Sequence, residues 1–229
     1  MKYKHIFFDL DRTLWDFESN MKITLKEIFQ KYKLDNHIAS ADDFIEVFNK
    51  NNDRLWGWYQ KGQMKKDVLR YKRFELTLND FGIKDKDLAQ VIGEEYINES
   101  PKKTALIPHT KEVLDYLFPK YQLHIITNGF NEVQFTKLKL CGIESYFGRV
   151  ITSEVSGYHK PKAEAFGYPL SSVNAKKKES IMIGDDLVND IIGAKRFGMD
   201  QVYLNLNKLK HNENPTFEIS SLSELIDIL

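Results

Sequence analysis

The chain has 229 residues, with 33 basic and 33 acidic side chains and a formal net charge of zero. A chain without net charge has no overall field to attract nucleic acid or an anionic membrane, so neither is expected as a partner. The single cysteine, Cys141, excludes an internal disulfide and is typical of a reducing compartment, which predicts a cytoplasmic protein.

The first predicted strand is the apolar run at residues 6–10, and two carboxylates lie at its end. Alternate residues of an extended chain share a side, so Asp9 and Asp11 can converge on one point. Like charges this close are costly unless a shared proton or a cation relieves them, and a hard divalent metal is a common cation in such sites. The alternative is a strand that ends in a polar turn with aspartate caps. Because the carboxylates interrupt the apolar run, it lacks the pattern of a signal peptide.

Residues 17–105 show helical periodicity and no convincing strand. Ser40 followed by Asp43 is typical of a helix start. Apolar residues then recur at helical spacing in three groups: Phe44, Val47 and Phe48; Val68, Tyr71 and Phe74; Leu88, Val91 and Ile92. We therefore predict an all-helical cap domain at 17–105, inserted into a core of 1–16 and 106–229, with the sheet resuming near residues 106–108.

From residue 106 onward, short apolar strands alternate with helical patterns. The strands are predicted at 123–126, 150–151, 181–183 and 202–204, and the helices at 110–118, 132–141 and 190–197. Gly142 and Gly198 follow two of these helices, where glycine suits a left-handed cap, and Ser221 begins a capping box for a last short helix. This alternation predicts an α/β fold, with a Rossmann-like parallel sheet and helices on both of its faces.

A second acidic group follows the predicted strand at 181–183. Gly184 allows a sharp turn, Asp185 then emerges at the edge of the sheet, and Asp190 returns near it as the next helix begins. The same acids would also suit a helix N-terminus, where negative charge is favourable without any metal.

Candidate phosphate-binding groups follow two further strands. Thr127, Asn128 and Gly129 end the strand at 123–126 and can hold phosphate oxygens through side-chain and backbone donors, while Lys160 lies in the loop after residues 150–151. Taken singly, these are an ordinary strand ending and a surface lysine. Ligands of an open parallel sheet bind beyond the carboxyl ends of its strands, and each of the four elements lies at a different strand end. Together they predict a site for a dianionic phosphate held against a metal ion.

In this order, the four elements resemble the four motifs of the haloacid dehalogenase superfamily. The resemblance implies that Asp9 is the nucleophile and Asp11 the general acid and base of a phosphomonoester hydrolase. It also implies phosphate-binding residues and Mg²⁺ ligands. The former are Thr13, Thr127, Asn128, Gly129 and Lys160, and the latter are Asp9, Asp11 and Asp185, with Asp190 as a further candidate. Asp186 stands where a small neutral residue is common, which leaves open which of Asp185, Asp186 and Asp190 reaches the metal.

The implied reaction is hydrolysis through an aspartyl-phosphate intermediate, and other members of the superfamily provide the alternatives. Dehalogenases lack the second aspartate that Asp11 supplies here, and the cap lysine of phosphonate hydrolases has no local signature. A sugar-phosphate mutase shares Asp9 and Asp11 and stays open, as do phosphatases of sugar phosphates or phosphoglycolate. The non-enzymatic alternative, a phospho-accepting receiver-like module, is far shorter and has no helical insertion after its first strand.

Aromatic residues in the predicted cap bear on the choice of substrate. Trp56, Trp58 and Tyr59 could stack on a nucleobase, or they could pack the core of the cap itself. The run at 55–62, with Arg73-Phe74 and residues 126–130, is similar to the YjjG-type pyrimidine nucleotidase branch of the superfamily. This similarity implies a pyrimidine 5'-nucleotidase that acts on nucleoside 5'-monophosphates, with no obligate protein partner evident.

Overall fold

The structure is a computed structural model, and it describes residues 2–229. The chain forms two compact units. One unit takes the chain up to Phe17 and again from Thr104 to Leu229, and the other takes Glu18–Lys103. Within the described residues, no helix combines the length and the apolar character needed to span a membrane.

The first unit is built on a sheet of six parallel strands, which confirms the predicted fold class. They are β1 His5–Phe8, β2 Gln122–Thr127, β3 Phe147–Thr152, β4 Ser180–Gly184, β5 Asp200–Leu204 and β6 Phe217–Ile219. Their order across the sheet is β3-β2-β1-β4-β5-β6, so β1 lies between β2 and β4 and the strand order reverses there. Such a reversal leaves a crevice at the carboxyl ends of the strands, where ligands of α/β sheets bind.

The sheet differs from the sequence prediction in several places. β1 ends at Phe8 and not at residue 10, so Asp9 follows the strand. β3 is longer than predicted, because its exposed Gly148 and Arg149 interrupt the apolar pattern. β6 is absent from the prediction, since a run of only three residues gives no periodicity to detect. The sheet does not resume at residues 106–108, where Leu106 forms a single antiparallel bridge with Trp15. Pro108 lies just before a helix, so the chain reaches the next strand only at β2.

The second unit holds four long helices. They are α1 Phe17–Lys31, which begins at the end of the first unit, α2 Ala41–Gln60, α3 Lys66–Asp80 and α4 Lys86–Glu99. Ser40 begins α2 as predicted, because its hydroxyl accepts a hydrogen bond from the backbone N–H of Asp43 at 3.1 Å. The ring of Phe48 lies 4.9 Å from that of Phe74 and 5.6 Å from that of Tyr96, so aromatic side chains from three helices form the core of this unit.

Val91 is the exception among the predicted core residues of α4. Its side chain is 52% exposed, because the buried face of the helix passes through Ala89, Ile92 and Tyr96 instead. These positions follow the spacing of three to four residues that keeps side chains on one face of a helix. Val91 lies just outside that face.

The helices of the first unit pack on both faces of the sheet. They are α5 Thr110–Leu117, α6 Asn131–Leu140, α7 Ser153–Ser156, α8 Glu164–Ser172, α9 Gly193–Phe197 and α10 Leu225–Ile228. In β1, Phe8 packs into one apolar cluster with Leu114 of α5, and Phe7 packs into another with Phe166 of α8. The predicted helix at 190–197 is divided, with a π-helical turn at Leu187–Ile192 before α9.

Two buried histidines lie next to each other in the sheet. The ring nitrogens Nδ1 of His5 and Nε2 of His124 share a hydrogen bond of 3.2 Å, and the His124 ring lies 4.9 Å from that of Phe7. Burial lowers the pKa of His124 to about 4 and also lowers the pKa of His5. Both rings are therefore neutral in the folded chain near neutral pH.

This pair predicts a pH dependence of stability. The unfolded chain binds a proton at each histidine near pH 6.5, whereas folded His124 does so only near pH 4, so the free energy of unfolding should fall as pH drops through this window. Each histidine contributes a slope of at most about 1.4 kcal/mol per pH unit. Urea unfolding at a series of pH values should show a smaller slope for His124→Gln than for the wild type. His37→Gln, at an exposed histidine, should keep the wild-type slope. Equal slopes in all three proteins would contradict the assignment.

Candidate active site

Three carboxylates meet beyond the carboxyl ends of β1 and β4. Asp9 directly follows β1, Asp185 directly follows β4, and Asp190 lies in the π-helical turn. The two strands are hydrogen-bonded neighbours, and the backbone N–H of Asp9 donates to the Ile183 carbonyl oxygen at 2.9 Å. One carboxylate oxygen from each acid lies within 4.8 Å of the others. The sheet thus gathers acids from distant parts of the chain at one point.

Burial raises the pKa of each of the three acids. It raises the pKa of Asp185 to about 7, with a further contribution from the charge of Asp9. It also raises the pKa of Asp9, and it raises that of Asp190 well above the ordinary value. Three carboxylates this close therefore resist being ionised together unless positive charge offsets them.

Lys160 supplies positive charge from within the protein. Its ammonium donates to Asp9 Oδ1 at 2.6 Å, to Asp190 Oδ1 at 2.6 Å and to the Ile126 carbonyl oxygen at 2.9 Å. The residue is only 3% exposed. Burial alone would lower the pKa of Lys160, but the carboxylates of Asp190 and Asp9 raise it above its ordinary value. Lys160 therefore stays charged, and all three of its protons have acceptors.

Asn128 holds the loop that carries Lys160. Its side-chain Oδ1 accepts a hydrogen bond from the Lys160 N–H at 2.8 Å, and its Nδ2 donates to the Lys160 carbonyl oxygen at 3.1 Å. Phosphate binding by Asn128 stays a prediction for its backbone N–H, since both ends of its side-chain amide are engaged with Lys160. The side chain positions Lys160 instead.

Thr127 and Gly129 form a tight turn after β2. The Thr127 hydroxyl oxygen accepts hydrogen bonds from the Gly129 N–H at 3.1 Å and from Gln134 Nε2 at 2.8 Å. The Gly129 N–H is therefore directed to Thr127, and phosphate binding by Gly129 stays a prediction. A Cβ at position 129 would lie 2.1 Å from Gln134 Nε2, so only glycine fits beside that side chain. Because the Thr127 hydroxyl oxygen only accepts in these two hydrogen bonds, its own proton can be donated to a phosphate oxygen.

Thr13 orients Asp185. Its hydroxyl donates to Asp185 Oδ1 at 2.9 Å and accepts a hydrogen bond from the Asp185 N–H at 3.1 Å. Phosphate binding by Thr13 stays a prediction, and in this structure its single hydroxyl proton is used by Asp185 and its side chain is fully buried.

The loop after β4 gives different roles to Asp186 and Asp190, two of the three acids that the sequence left open as metal ligands. Asp186 accepts hydrogen bonds from Val188 N at 2.9 Å and from Asn189 N at 2.9 Å, so it caps the π-helical turn. Asp190 turns back to the strand end, where a Cβ on Gly184 would lie 2.2 Å from its Oδ2. Asp190 therefore joins Asp9 and Asp185, and Asp186 does not.

Two side chains of α6 hold the Asp11 carboxylate. Lys137 Nζ donates to Asp11 Oδ1 at 2.5 Å, and Gln134 Nε2 donates to Asp11 Oδ2 at 2.8 Å. The acidic group contains Asp9, Asp185 and Asp190 and does not include Asp11, whose role as a metal ligand stays a prediction. Gln134 and Lys137 were not among the predicted site residues. Their only signal is a polar pair three residues apart on the buried side of a helix.

The donor set of the acidic group fits a hard divalent cation. Asp9, Asp185 and Asp190 offer carboxylate oxygens, without histidine or cysteine among them. Mg²⁺ is bound in proteins mainly by carboxylates and water, whereas softer metals select nitrogen and sulfur ligands. A divalent cation would also offset the mutual repulsion of these acids, which adds to the effect of burial on their pKa values.

The predicted base-binding aromatics lie on α2 in the second unit. Trp58 is 43% exposed, and the Arg54 guanidinium lies 5.8 Å from its ring centre. Tyr59 is buried and makes an edge contact of 5.5 Å with Trp56. Tyr59 therefore packs within its own unit, and Trp58 is the ring most open to solvent.

A family model matches most of the chain. The model described as haloacid dehalogenase-like hydrolase covers residues 6–204. The pyrimidine 5'-nucleotidase YjjG of Escherichia coli is 31% identical over 232 residues, which cover 100% of this chain and 99% of that protein. A glyceraldehyde 3-phosphate phosphatase of Pyrococcus furiosus is 29% identical over 236 residues, which cover 100% of this chain and 93% of that protein.

A solved structure shares the architecture over its full length. The crystal structure of YfnB from Bacillus subtilis, described as a HAD-hydrolase and bound to magnesium, has a TM-score of 0.90 and 27% identity to this chain. The match covers 100% of this chain and 99% of that one.

Proposed function

Because the chain belongs to the haloacid dehalogenase-like hydrolase family, we propose that it is a Mg²⁺-dependent phosphomonoester hydrolase with Asp9 as its nucleophile. The observation that carries the proposal is the bridge of Lys160 between Asp9 and Asp190, at 2.6 Å to each. A carboxylate repels a dianionic phosphate, so it can attack phosphorus only where fixed positive charge offsets both anions. Lys160 is buried and fully charged beside the attacking group, which meets part of that requirement.

The proposed reaction has two steps. First, a carboxylate oxygen of Asp9 forms a bond to phosphorus while the bond from phosphorus to the ester oxygen breaks, and Asp11 gives a proton to the departing oxygen. Asp9 then carries the phosphoryl group as an acyl phosphate. In the second step, water forms a bond to phosphorus while the bond from phosphorus to the Asp9 oxygen breaks, and Asp11 accepts a proton of that water, so that inorganic phosphate leaves and the Asp9 carboxylate is restored.

Other residues of the site have supporting roles in this proposal. The charge of Lys160 offsets that of the phosphate oxygens, the hydroxyl of Thr127 donates to one of them, and Thr13 keeps Asp185 in place. Asp9, Asp185 and Asp190 are the residues that would hold Mg²⁺, which supplies positive charge for the phosphate oxygens when it is bound. 

The proposed substrate class is pyrimidine nucleoside 5'-monophosphates. It is supported by the full-length similarity to the pyrimidine 5'-nucleotidase YjjG and by the exposed aromatic ring of Trp58. The second candidate is a small sugar phosphate, which the similarity to the glyceraldehyde 3-phosphate phosphatase favours.

A phosphate-release panel tests both parts of the proposal. The esters are dUMP, dTMP, glyceraldehyde 3-phosphate, phosphoglycolate and a hexose phosphate, each measured with Mg²⁺ and with a chelator. We expect phosphate release that requires Mg²⁺ and is fastest with the two nucleotides. If no ester releases phosphate with Mg²⁺ present, the chain is not a phosphatase of this kind. If the nucleotides are the poorest substrates, the phosphatase stands and its substrate class changes to sugar phosphates.

The same panel tests the predicted role of Trp58. Stacking of a base on an aromatic ring contributes about 1–3 kcal/mol, so Trp58→Ala should raise the KM for dUMP by about tenfold and leave the KM for phosphoglycolate unchanged. Phe118→Ala, at an exposed aromatic residue of the first unit, is the matched control and should change neither constant.

A further inference from the structure

Two side chains of α6 donate hydrogen bonds to Asp11, and the two reaction steps do not account for these contacts. Lys137 Nζ lies 2.5 Å from Asp11 Oδ1, and Gln134 Nε2 lies 2.8 Å from Asp11 Oδ2. Each oxygen of this carboxylate therefore has its own donor and keeps a second lone pair, on which the proton that Asp11 gives and accepts can be held. Because both donors come from the same helix, they restrict the position of the Asp11 carboxyl group and its rotation about the side-chain bond.

Both donors are buried on one face of α6. Gln134 and Lys137 are three residues apart, which places them next to each other on a helix surface. Burying an ammonium is costly unless it is paired, and Asp11 is the carboxylate that pairs with Lys137. The Lys137 ammonium also lies 4.1 Å from the centre of the Trp15 ring, so an aromatic face holds it from another side. The lysine is thus fixed against Asp11 and does not extend into solvent.

Gln134 connects Asp11 to the predicted phosphate-binding turn. Its Nε2 donates to Thr127 Oγ1 at 2.8 Å as well as to Asp11 Oδ2. Gly129 leaves the space that this amide occupies, since a Cβ there would lie 2.1 Å from Nε2. One side chain therefore sets the spacing between the hydroxyl of Thr127 and the carboxyl group of Asp11.

We propose that Lys137 and Gln134 are positioning residues that hold the Asp11 carboxyl group at the leaving-group oxygen for proton transfer. The inference rests on the proposed function, in which Asp11 gives a proton in the first step and accepts one in the second. Proton transfer from a positioned group contributes about 10²–10⁴-fold in rate, and that contribution depends on placement. A misplaced Asp11 slows each step that needs its proton, and it spares the attack of Asp9 on phosphorus only where the leaving group departs without a proton.

The two steps can be separated by the choice of leaving group. The alkoxide of a nucleoside is strongly basic and needs a proton to depart, whereas p-nitrophenolate departs without one. Loss of positioning should therefore slow the first step for dUMP and spare it for p-nitrophenyl phosphate. The second step is common to both esters and needs Asp11 to accept a proton, so it should be slow for both.

The test uses the full chain and rapid mixing with Mg²⁺ present. For Lys137→Met we expect kcat for dUMP to fall by about 10²-fold or more. With p-nitrophenyl phosphate, the same variant should release a rapid burst of p-nitrophenolate close to one per enzyme, followed by slow turnover. Gln134→Met should show the same pattern with smaller losses, because it keeps the ion pair. Lys139→Met, at an exposed lysine of the same helix, should behave as the wild type.

Circular dichroism and thermal unfolding show whether each variant is folded, and Gln134→Met carries the test if Lys137→Met does not fold. Equal losses for the two esters, with no burst, would mean that the residues only support the fold and would overturn the proposal. Unchanged kinetics in both variants would overturn it as well. Failure of the proposed function is read separately, as an absence of phosphate release from any ester by the wild type.

Discussion

Asp9→Asn is expected to abolish phosphate release while the chain stays folded. An amide oxygen is a far weaker nucleophile than a carboxylate, so the first bond to phosphorus does not form. Removal of a nucleophile of this kind typically lowers kcat on the order of 10⁶-fold. The substitution keeps the size of the side chain, and Lys160 retains its contact of 2.6 Å with Asp190.

The stability of this variant is part of the expected result. The pKa of Asp9 is raised by its burial, so at neutral pH its ionised form is less favourable in the folded chain than in the unfolded one. Asn removes that charge from the group with Asp185 and Asp190. Thermal unfolding without Mg²⁺ should therefore occur at the wild-type temperature or above it. Asp87→Asn, at an exposed aspartate of α4, should leave both activity and stability unchanged.

A chemical trap locates the nucleophile directly. Wild-type enzyme is mixed with substrate and Mg²⁺, quenched in acid and reduced with borohydride, which converts an acyl phosphate of aspartate into homoserine. Peptide mass spectrometry should find homoserine at position 9 in the wild type and none in Asp9→Asn. Homoserine at another aspartate, or turnover by the variant at the wild-type rate, would show that a different residue attacks phosphorus.

The sequence predicts the sheet and its order of motifs because both rest on local signals. β1 and β4 are continuous apolar runs, and the residues after them are acids whichever fold the chain adopts. Once the strands are parallel, their carboxyl ends meet at one edge, so the meeting of Asp9 with Asp185 follows from topology alone. The family relationship adds roles to these positions but does not change where they lie.

The contacts between side chains could not be predicted in the same way. Thr13 with Asp185, and Asn128 with Lys160, are pairs from distant parts of the chain, and nothing local distinguishes a hydroxyl that binds phosphate from one that orients an acid. Lys137 was missed for the same reason, since a lysine on a helix is usually exposed. The capping role of Asp186 could have been predicted from the sequence, because an aspartate directly before a helical turn is a typical N-cap.

Lys160→Met should destabilise the chain strongly in the absence of a divalent cation. The substitution keeps an apolar stem of similar length and removes the charge between Asp9 and Asp190. Removing one partner of a buried ion pair typically costs about 3–5 kcal/mol, because the remaining charge is left without compensation. Here two carboxylates lose their partner at once, and the Ile126 carbonyl oxygen loses a donor as well.

The loss of stability in Lys160→Met should depend on pH and should be smaller at acid pH than at neutral pH. Burial already raises the pKa values of Asp9 and Asp190, and Lys160 is the group that lowers them. Without Lys160 the folded state holds protons more tightly than the unfolded state over a wider pH range, so the free energy of unfolding of the variant should rise as pH falls from neutral. The difference between variant and wild type should therefore shrink toward acid pH. Lys162→Met, at an exposed lysine two residues along, should match the wild type at every pH.

The stability of Lys160→Met and of the wild type should also be compared with and without Mg²⁺. A cation that binds only the folded chain adds RT ln(1 + [L]/Kd) to its stability, and the unpaired carboxylates of Lys160→Met should attract it more strongly than those of the wild type. Urea unfolding should then show a larger gain from Mg²⁺ in the variant, which recovers part of the lost stability although activity stays low for want of Lys160. An equal or smaller gain would mean that the oxygens held by Lys160 are not those that a divalent cation would use.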